Sequence, residues 1–522
     1  MEEKHHIIKS SAGLGFLTLI SRILGLIRDM TWAAFLGTKL AGDAFVIAFT
    51  IPNLFRALLG EGALNGAFVP IFTKELTKKG KKEAFHIANL TATALFLILA
   101  GIIFIVLIIL FILEKFYADN MTAILTIELT KIMIPYVGYV CLTGLMMGML
   151  NSLRQFIIPG LSPIILNLVF IISIFTFIPV LFGSTTIEKA FGLSVSVIVA
   201  GTAQFFLQFF TLKKYDFTLK PAFGFNNPAV KKIFLLALPI ILAHSITQIT
   251  FLIGRLLCMA LGEGAASYLY YSTRLVSLPF GIFSVSIATV MLPLMSKYNA
   301  LKKFEDTKKT FINALRIILF ISIPATVGLL ILGDSIIQLL FERKEFTPLS
   351  TLETYYTLIF LSLGLSSICA VKIVITAYHS LQDTKTPVKI GLISLVINII
   401  LNLILMWPLK QGGLALASSI SSLFYFTALL KLFEKKLGKL NYASIFEAVK
   451  LSLLFALIMG LVCYLIKIQL MNFFIRDDII ARLTIVFGPC LAGIVTVILL
   501  AHIFKVKELN YIYQIFLKRL AR

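Results

Sequence analysis

Runs of about twenty apolar residues, each long enough to cross roughly 30 Å of hydrocarbon as a helix, recur along this chain between short polar connections. The pattern predicts about fourteen membrane-crossing helices. They fall near residues 11–37, 42–73, 84–113, 123–151, 159–183, 188–212, 229–261, 265–296, 308–333, 350–379, 386–408, 412–433, 445–468 and 481–504. Residues 334–346, DSIIQLLFERKEF, are too short and too charged to cross again, and read as an amphipathic helix at the outer interface. The expected fold class is therefore an all-α polytopic membrane protein.

The chain also resembles itself. The run from Leu150 to Pro159 is similar to that from Tyr378 to Pro387, Gly192-Leu-Ser-Val-Ser to Gly413-Leu-Ala-Leu-Ala, and Phe68-Val-Pro70 to Met291-Leu-Pro293. Six spans separate the copies, and an even number of crossings leaves them in the same orientation. Two pseudo-symmetric six-helix lobes around a central cavity follow, with two extra C-terminal helices. The expected divisions are residues 1–220, 221–440 and 441–522.

Composition changes this picture little. The length would suit several soluble domains, but 59% of the residues are hydrophobic and the mean hydropathy is +0.97, which overrides that prior. A formal charge of +22 raises the question of nucleic acid. The basic residues decide against it, because they fall in alternate loops (74–82, 213–232, 297–309, 431–439) and in both tails. These hold about 29 Lys and Arg against about 7 on the other side, which predicts cytoplasmic termini. Cys141, Cys258, Cys369, Cys463 and Cys490 lie in apolar segments without metal-ligand spacing. The histidines are scattered, His244 on an apolar helix is expected to be packed, and no Walker loop is present. No leader with a small-residue cleavage site is recognisable at the start.

Candidate chemistry lies in residues 21–70, where Ser21, Arg22, Arg28, Asp29, Asp43, Arg56 and Glu61 interrupt apolar helices. An arginine at the centre of a membrane helix costs about 2.5–3.5 kcal/mol on insertion scales. Arg28, Arg56 and Arg274 each lie roughly 13–20 Å below the outer end of their helix, in the middle third of the bilayer. Such a cluster suits an anion, since the guanidinium fork binds phosphate oxygens bidentately. The alternative is internal pairing, of Arg22 or Arg28 with Asp29 and of Arg56 with Glu61; Arg22 and Asp29, seven apart, share a helix face. Pro52, Gly60 and Gly62 loosen the second span, Pro239 the seventh, and Pro279-Phe-Gly281 the eighth.

These motifs carry a resemblance. Ser21-Arg-Ile-Leu-Gly-Leu-Ile-Arg-Asp29, Asp43-Ala-Phe, Pro52-Asn-Leu-Phe-Arg56, Gly60-Glu-Gly-Ala63, Ser272-Thr-Arg274 and Leu278-Pro-Phe-Gly281 resemble the MurJ (MviN) lipid II flippases, over essentially the whole chain. The resemblance implies a fold of the multidrug/oligosaccharidyl-lipid/polysaccharide exporter superfamily, with a groove for a polyprenyl tail on the last two helices. It assigns Arg28, Arg56 and Arg274 to the lipid diphosphate, and Arg22, Ser21, Asp29, Glu61 and Asn53 to further substrate contacts. Asp43, Pro52, Gly60, Gly62 and Arg255 take supporting or gating roles. Sodium-coupled relatives carry acidic residues where this chain has Gly254, and polar or acidic ones near Asn398 and Asn402, so sodium coupling is in doubt and no other cofactor is expected. Lipid II and membrane lipid are the implied partners, with cell-wall synthesis proteins as candidates, a monomer as the state, and the bacterial inner membrane as the location. A drug or other polyprenyl-glycan exporter is the nearest alternative, and a membrane glycosyltransferase a remote one.

Overall fold

The structure, a computed structural model, describes residues 2–224, 226–474, 478–506 and 508, with side chains for all of these but 2–12, 14, 61–63 and 243. Every regular element among the described residues is a helix. Hydrocarbon leaves a backbone no water to bond, so each crossing must satisfy its own N–H and C=O groups.

The first unit, Met1–Ala266 with Arg343–Phe346, contains α1 (Glu2–Leu36), α2 (Leu40–Phe55), α3 (Leu64–Lys79), α4 (Lys81–Phe116), α5 (Met121–Met133), α6 (Tyr136–Ser152), α7 (Ile157–Phe175), α8 (Phe177–Leu181), α9 (Thr186–Lys213) and α10 (Pro228–Cys258). α1 packs on α7, α2 on α5, and α9 on both α6 and α7. The faces are inverted relative to a water-soluble bundle. Phe104, Ile105 and Phe111 of α4 point outward, whereas Thr91, Thr130, Ser194 and Ser196 are buried with their hydroxyls bonded to carbonyls one turn back.

The second unit, Ser267–Glu342 with Thr347–Arg522, contains most of α11 (Ala265–Pro279), then α12 (Val285–Ala300), α13 (Phe304–Phe341), α14 (Pro348–Ser362), α15 (Leu365–Ser380), α16 (Lys385–Leu437), α17 (Tyr442–Phe473) and α18 (Ile479–Ile503). Its spine is α13, against which α12, α14, α15, α17 and α18 all pack. Ion pairs fasten the last two helices to it: Lys467 to Asp334, Arg482 to Glu342, and Arg316 to Glu508 just beyond α18. Between α15 and α16, burial works against ionisation of Asp383, yet hydrogen bonds from Lys436 and Thr386 hold its carboxyl down at about 2.

Among the described residues nine helical runs are long and apolar enough to cross a membrane, or twelve if each sharply bent pair is one crossing. The bent pairs are 121–152 (42°), 228–258 (49°) and 348–380 (46°). α16 turns at Lys410, whose φ of 48° and ψ of −133° are non-helical, between the expected eleventh and twelfth spans.

Two expectations need correction. Residues 334–341 are no separate interfacial helix but the end of α13, because Asp334 and Glu342 meet Lys467 and Arg482 from helices more than a hundred residues away. His244 is exposed at the bend of α10 instead of packed. By packing, α10 rests on α2, α3 and α4 and groups with the first unit, while α17 and α18 group with the second.

Candidate functional site: arginines on and beside broken helices

Pro52 lacks the N–H that would bond back along α2, and four residues later the helix widens into a π-helical segment, Arg56–Ala63. Gly60 and Gly62 ease that change. In the second unit Pro279 directly precedes another π segment, Phe280–Ser284. Each precedes its copy of the repeated landmark, Phe68-Val-Pro70 or Met291-Leu-Pro293. Such segments are frequent at functional sites, and here one begins with Arg56 and the other lies six residues after Arg274.

Arg28 sits on α1 with its side chain 7% exposed. Nε and Nη2 donate to Asp29 Oδ1 at 3.1 and 2.7 Å, and Nη1 donates to Asn167 Oδ1 of α7 at 3.1 Å. Asn167 in turn donates to the Ser21 carbonyl at 3.0 Å, so one amide ties Arg28 and Ser21 together. The guanidinium carbon lies 5.7 Å from the Phe170 ring centre. Beneath it Trp32, Phe45, Phe49 and Phe170 interlock, with edge-on centroid separations of 4.8 Å (Trp32–Phe45) and 5.8 Å (Phe49–Phe170). Arg28 thus takes the internal pairing. Arg22 does not: it is exposed, and among the described residues its side chain has no hydrogen bond or ion pair. Seven residues share a face but span about 10.5 Å of helix, too far for one contact.

Arg56 donates Nε to Asn53 Oδ1 at 2.9 Å, an i, i+3 contact across the start of the π segment. It lines a cavity of about 30 Å³ within the first unit, together with Gly60, Thr143, Ser162 and Gln204. Gly60 is tightly held: its carbonyl accepts from Asn65 Nδ2 at 3.3 Å, and a Cβ placed on Gly144 of α6 would lie 2.2 Å from that carbonyl oxygen. Pro52 is buried in α2. The side chain of Glu61 and the surroundings of Gly62 lie outside the described residues, so the Arg56–Glu61 alternative does too.

Asp43 and Arg255 secure α10. Asp43 Oδ2 accepts the Gly264 N–H at 2.7 Å, pinning a turn whose Gly262 and Gly264 have φ of 96° and 93°, values that favour glycine. Arg255 Nη1 donates to the Thr50 hydroxyl of α2.

In the second unit Arg274 of α11 is half-buried, and its Nε and Nη2 donate to the Tyr270 hydroxyl at 3.1 and 3.0 Å. Further on, Asn402 Nδ2 donates to Asn398 Oδ1 at 3.0 Å, and Asn398 Nδ2 to the Ser421 hydroxyl at 3.2 Å. Both amides are neutral; Asn398 Oδ1 is engaged, and Asn402 Oδ1 is buried with no hydrogen-bond partner among the described residues. No group of three or more His, Cys, Asp or Glu suited to a metal occurs among the described residues.

The sequence reading missed Asn167, Gln204 and Tyr270. Asn167 and Gln204 were findable, as amides inside spans that are otherwise apolar, where a polar group must have a partner.

Comparison with known proteins bears on this arrangement. Residues 32–483 match the family described as "Lipid II flippase MurJ". A Rickettsia prowazekii protein named "Probable lipid II flippase MurJ" is 35% identical over 97% of this chain and 99% of its own length. One of the same name from Vibrio cholerae is 33% identical over 80% of this chain and 81% of its own. The solved structure of a lipid II flippase MurJ in an inward closed conformation superposes with a TM-score of 0.72 at 26% identity, covering 94% of this chain and 98% of that one. An inward-facing multidrug resistance transporter of the MOP superfamily shares the fold, at a TM-score of 0.66 and 13% identity over 80% of this chain and 94% of its own. This helical, multi-pass membrane chain belongs to the MurJ family of lipid II flippases.

Proposed function

We infer that this chain carries lipid II, the polyprenyl-diphosphate-linked peptidoglycan precursor, from the inner to the outer leaflet of the bacterial inner membrane by alternating access. The observation that carries the reading is Arg56, set on a π segment beside an internal cavity in a chain of this family. About fourteen spans follow if 2–36 crosses once and 385–437 twice, divided at Lys410. The lysine-rich loops and both termini face the cytoplasm. Arg56 and Arg274 bind the diphosphate with charged forks. Arg28 presents a guanidinium already oriented by Asp29 and Asn167, with three of its five N–H donors in use. Arg22, exposed on α1, is a first contact for the incoming headgroup. Asn53 orients Arg56, while Asp43 and Arg255 hold α10 in place. The polyprenyl tail stays in lipid beside α17 and α18, and the protein works as a monomer.

The cycle needs neither ATP nor sodium on this reading. A membrane potential negative inside favours outward movement of an anion by about 2.3 kcal/mol per charge per 100 mV. The neutrality of Asn398 and Asn402 supports independence from sodium. Depleting the protein in its host tests the assignment: lipid II should accumulate on the cytoplasmic leaflet, closed to reagents added outside. Unchanged outward exposure of lipid II after depletion would refute it.

A further inference from the structure

The Arg56 cavity has a second polar wall, and its chemistry differs from that of the arginine. Gln204 of α9 is 3% exposed, and its Nε2 donates to the Ser162 carbonyl of α7 at 2.6 Å. A carbonyl only accepts, so this bond fixes which end of the amide is which. Oε1 is then the other end, buried and, among the described residues, without a hydrogen-bond partner, on a side chain that lines the cavity. Burying an acceptor unmet is costly, so a group that enters here and donates to it is favoured. Thr143, on the same wall, already gives its hydroxyl hydrogen to the Tyr139 carbonyl at 2.7 Å. The volume, about 30 Å³, admits a group the size of a water molecule or a hydroxyl. Gln208, one turn further along α9, makes the same kind of bond, to the Ile158 carbonyl at 3.1 Å, but does not line the cavity.

We propose that Gln204 is a specificity-determining residue whose Oε1 accepts a hydrogen bond from an O–H group entering the Arg56 cavity. That group is a hydroxyl of the glycan next to the diphosphate, or a water held between the two. An acceptor-only group such as a bare phosphate oxygen suits Arg56 but is repelled by Oε1. The pair therefore reads a hydroxyl beside an anion, which is the junction of a sugar with a diphosphate. This rests on the lipid II reading above.

The test measures binding to the purified full-length protein of two ligands: lipid II, and undecaprenyl diphosphate, which has the same tail and diphosphate but no sugar. Gln204→Met removes the acceptor, and Gln208→Met removes the matching bond away from the cavity. Gln204→Met should weaken lipid II binding about tenfold, the worth of one hydrogen bond. If undecaprenyl diphosphate binding is unchanged, the donor is the sugar hydroxyl; if it falls equally, the donor is a water that braces the diphosphate. Gln208→Met should leave both affinities as in the wild type. An unaltered lipid II affinity in Gln204→Met overturns the proposal, as does an equal loss in Gln208→Met. Should Gln204→Met fail to fold, Gln204→Asn, which draws the amide back by one methylene, carries the same expectation. A wild-type protein that binds no lipid II defeats the functional reading itself, and this inference with it.

Discussion

Arg56→Ala and Arg274→Ala should each reduce lipid II translocation by about a hundredfold or more while the protein still inserts in the membrane. The magnitude follows from the bonds at stake: a hydrogen bond to a charged group is worth about 1.5–3 kcal/mol, and a guanidinium fork makes two to a diphosphate. Lysine keeps the charge but loses the fork, so Arg56→Lys should recover only part of the rate. Arg28 differs because it is buried against a carboxylate, Asp29. Removing it leaves the Asp29 carboxylate buried without the partner it has at 2.7 Å, a change that costs about 3–5 kcal/mol in buried pairs. Arg28→Ala should therefore lower both thermal stability and transport. Adding Asp29→Asn to it should restore stability and leave transport lost. Leaflet-specific quenching of labelled lipid II, read beside thermal unfolding in detergent, separates the two effects. Recovery of transport together with stability in the double variant would make Arg28 purely structural.

Gly144 carries the second large effect. A Cβ there would stand 2.2 Å from the Gly60 carbonyl oxygen and 2.7 Å from its Cα. Both are backbone atoms, so no side chain can swing aside, and α6 must move off the π segment that positions Arg56. Overpacking of this kind costs about 1–3 kcal/mol even where side chains can adjust. Gly144→Ala should lower the unfolding temperature and slow transport sharply, and Gly144→Val should do both more severely. Gly101 of α4 is the control, because nothing lies within 4 Å of its Cβ position. Gly101→Ala should leave transport unchanged. Wild-type transport and stability in Gly144→Ala would mean that this helix crossing does not hold Arg56.

Much of the fold was legible because hydrocarbon imposes a length and a polarity on every crossing, and the apolar runs obey both. Proline and glycine showed where the second and eighth spans would break; that the breaks are π segments was beyond them, since a wide turn and a kink use the same residues. Partners distant in sequence were the main obstacle. Residues 334–346 read as a separate interfacial helix because Lys467, the counterion of Asp334, belongs to another helix. Arg28 and Asp29 were visible as a possible pair, but Asn167, which completes their setting, lies 139 residues away. Arg22 was offered to Asp29 by helical phase alone, and distance decided against it.

The most direct test of the account is translocation of labelled lipid II by the purified protein in sodium-free proteoliposomes with an imposed potential. Wild-type protein should move lipid II across the bilayer faster than protein-free vesicles do, at a rate that responds to the potential, and Arg56→Ala and Arg274→Ala should match the empty vesicles. Wild-type rates no higher than those of empty vesicles, or full activity in both arginine variants, would contradict it.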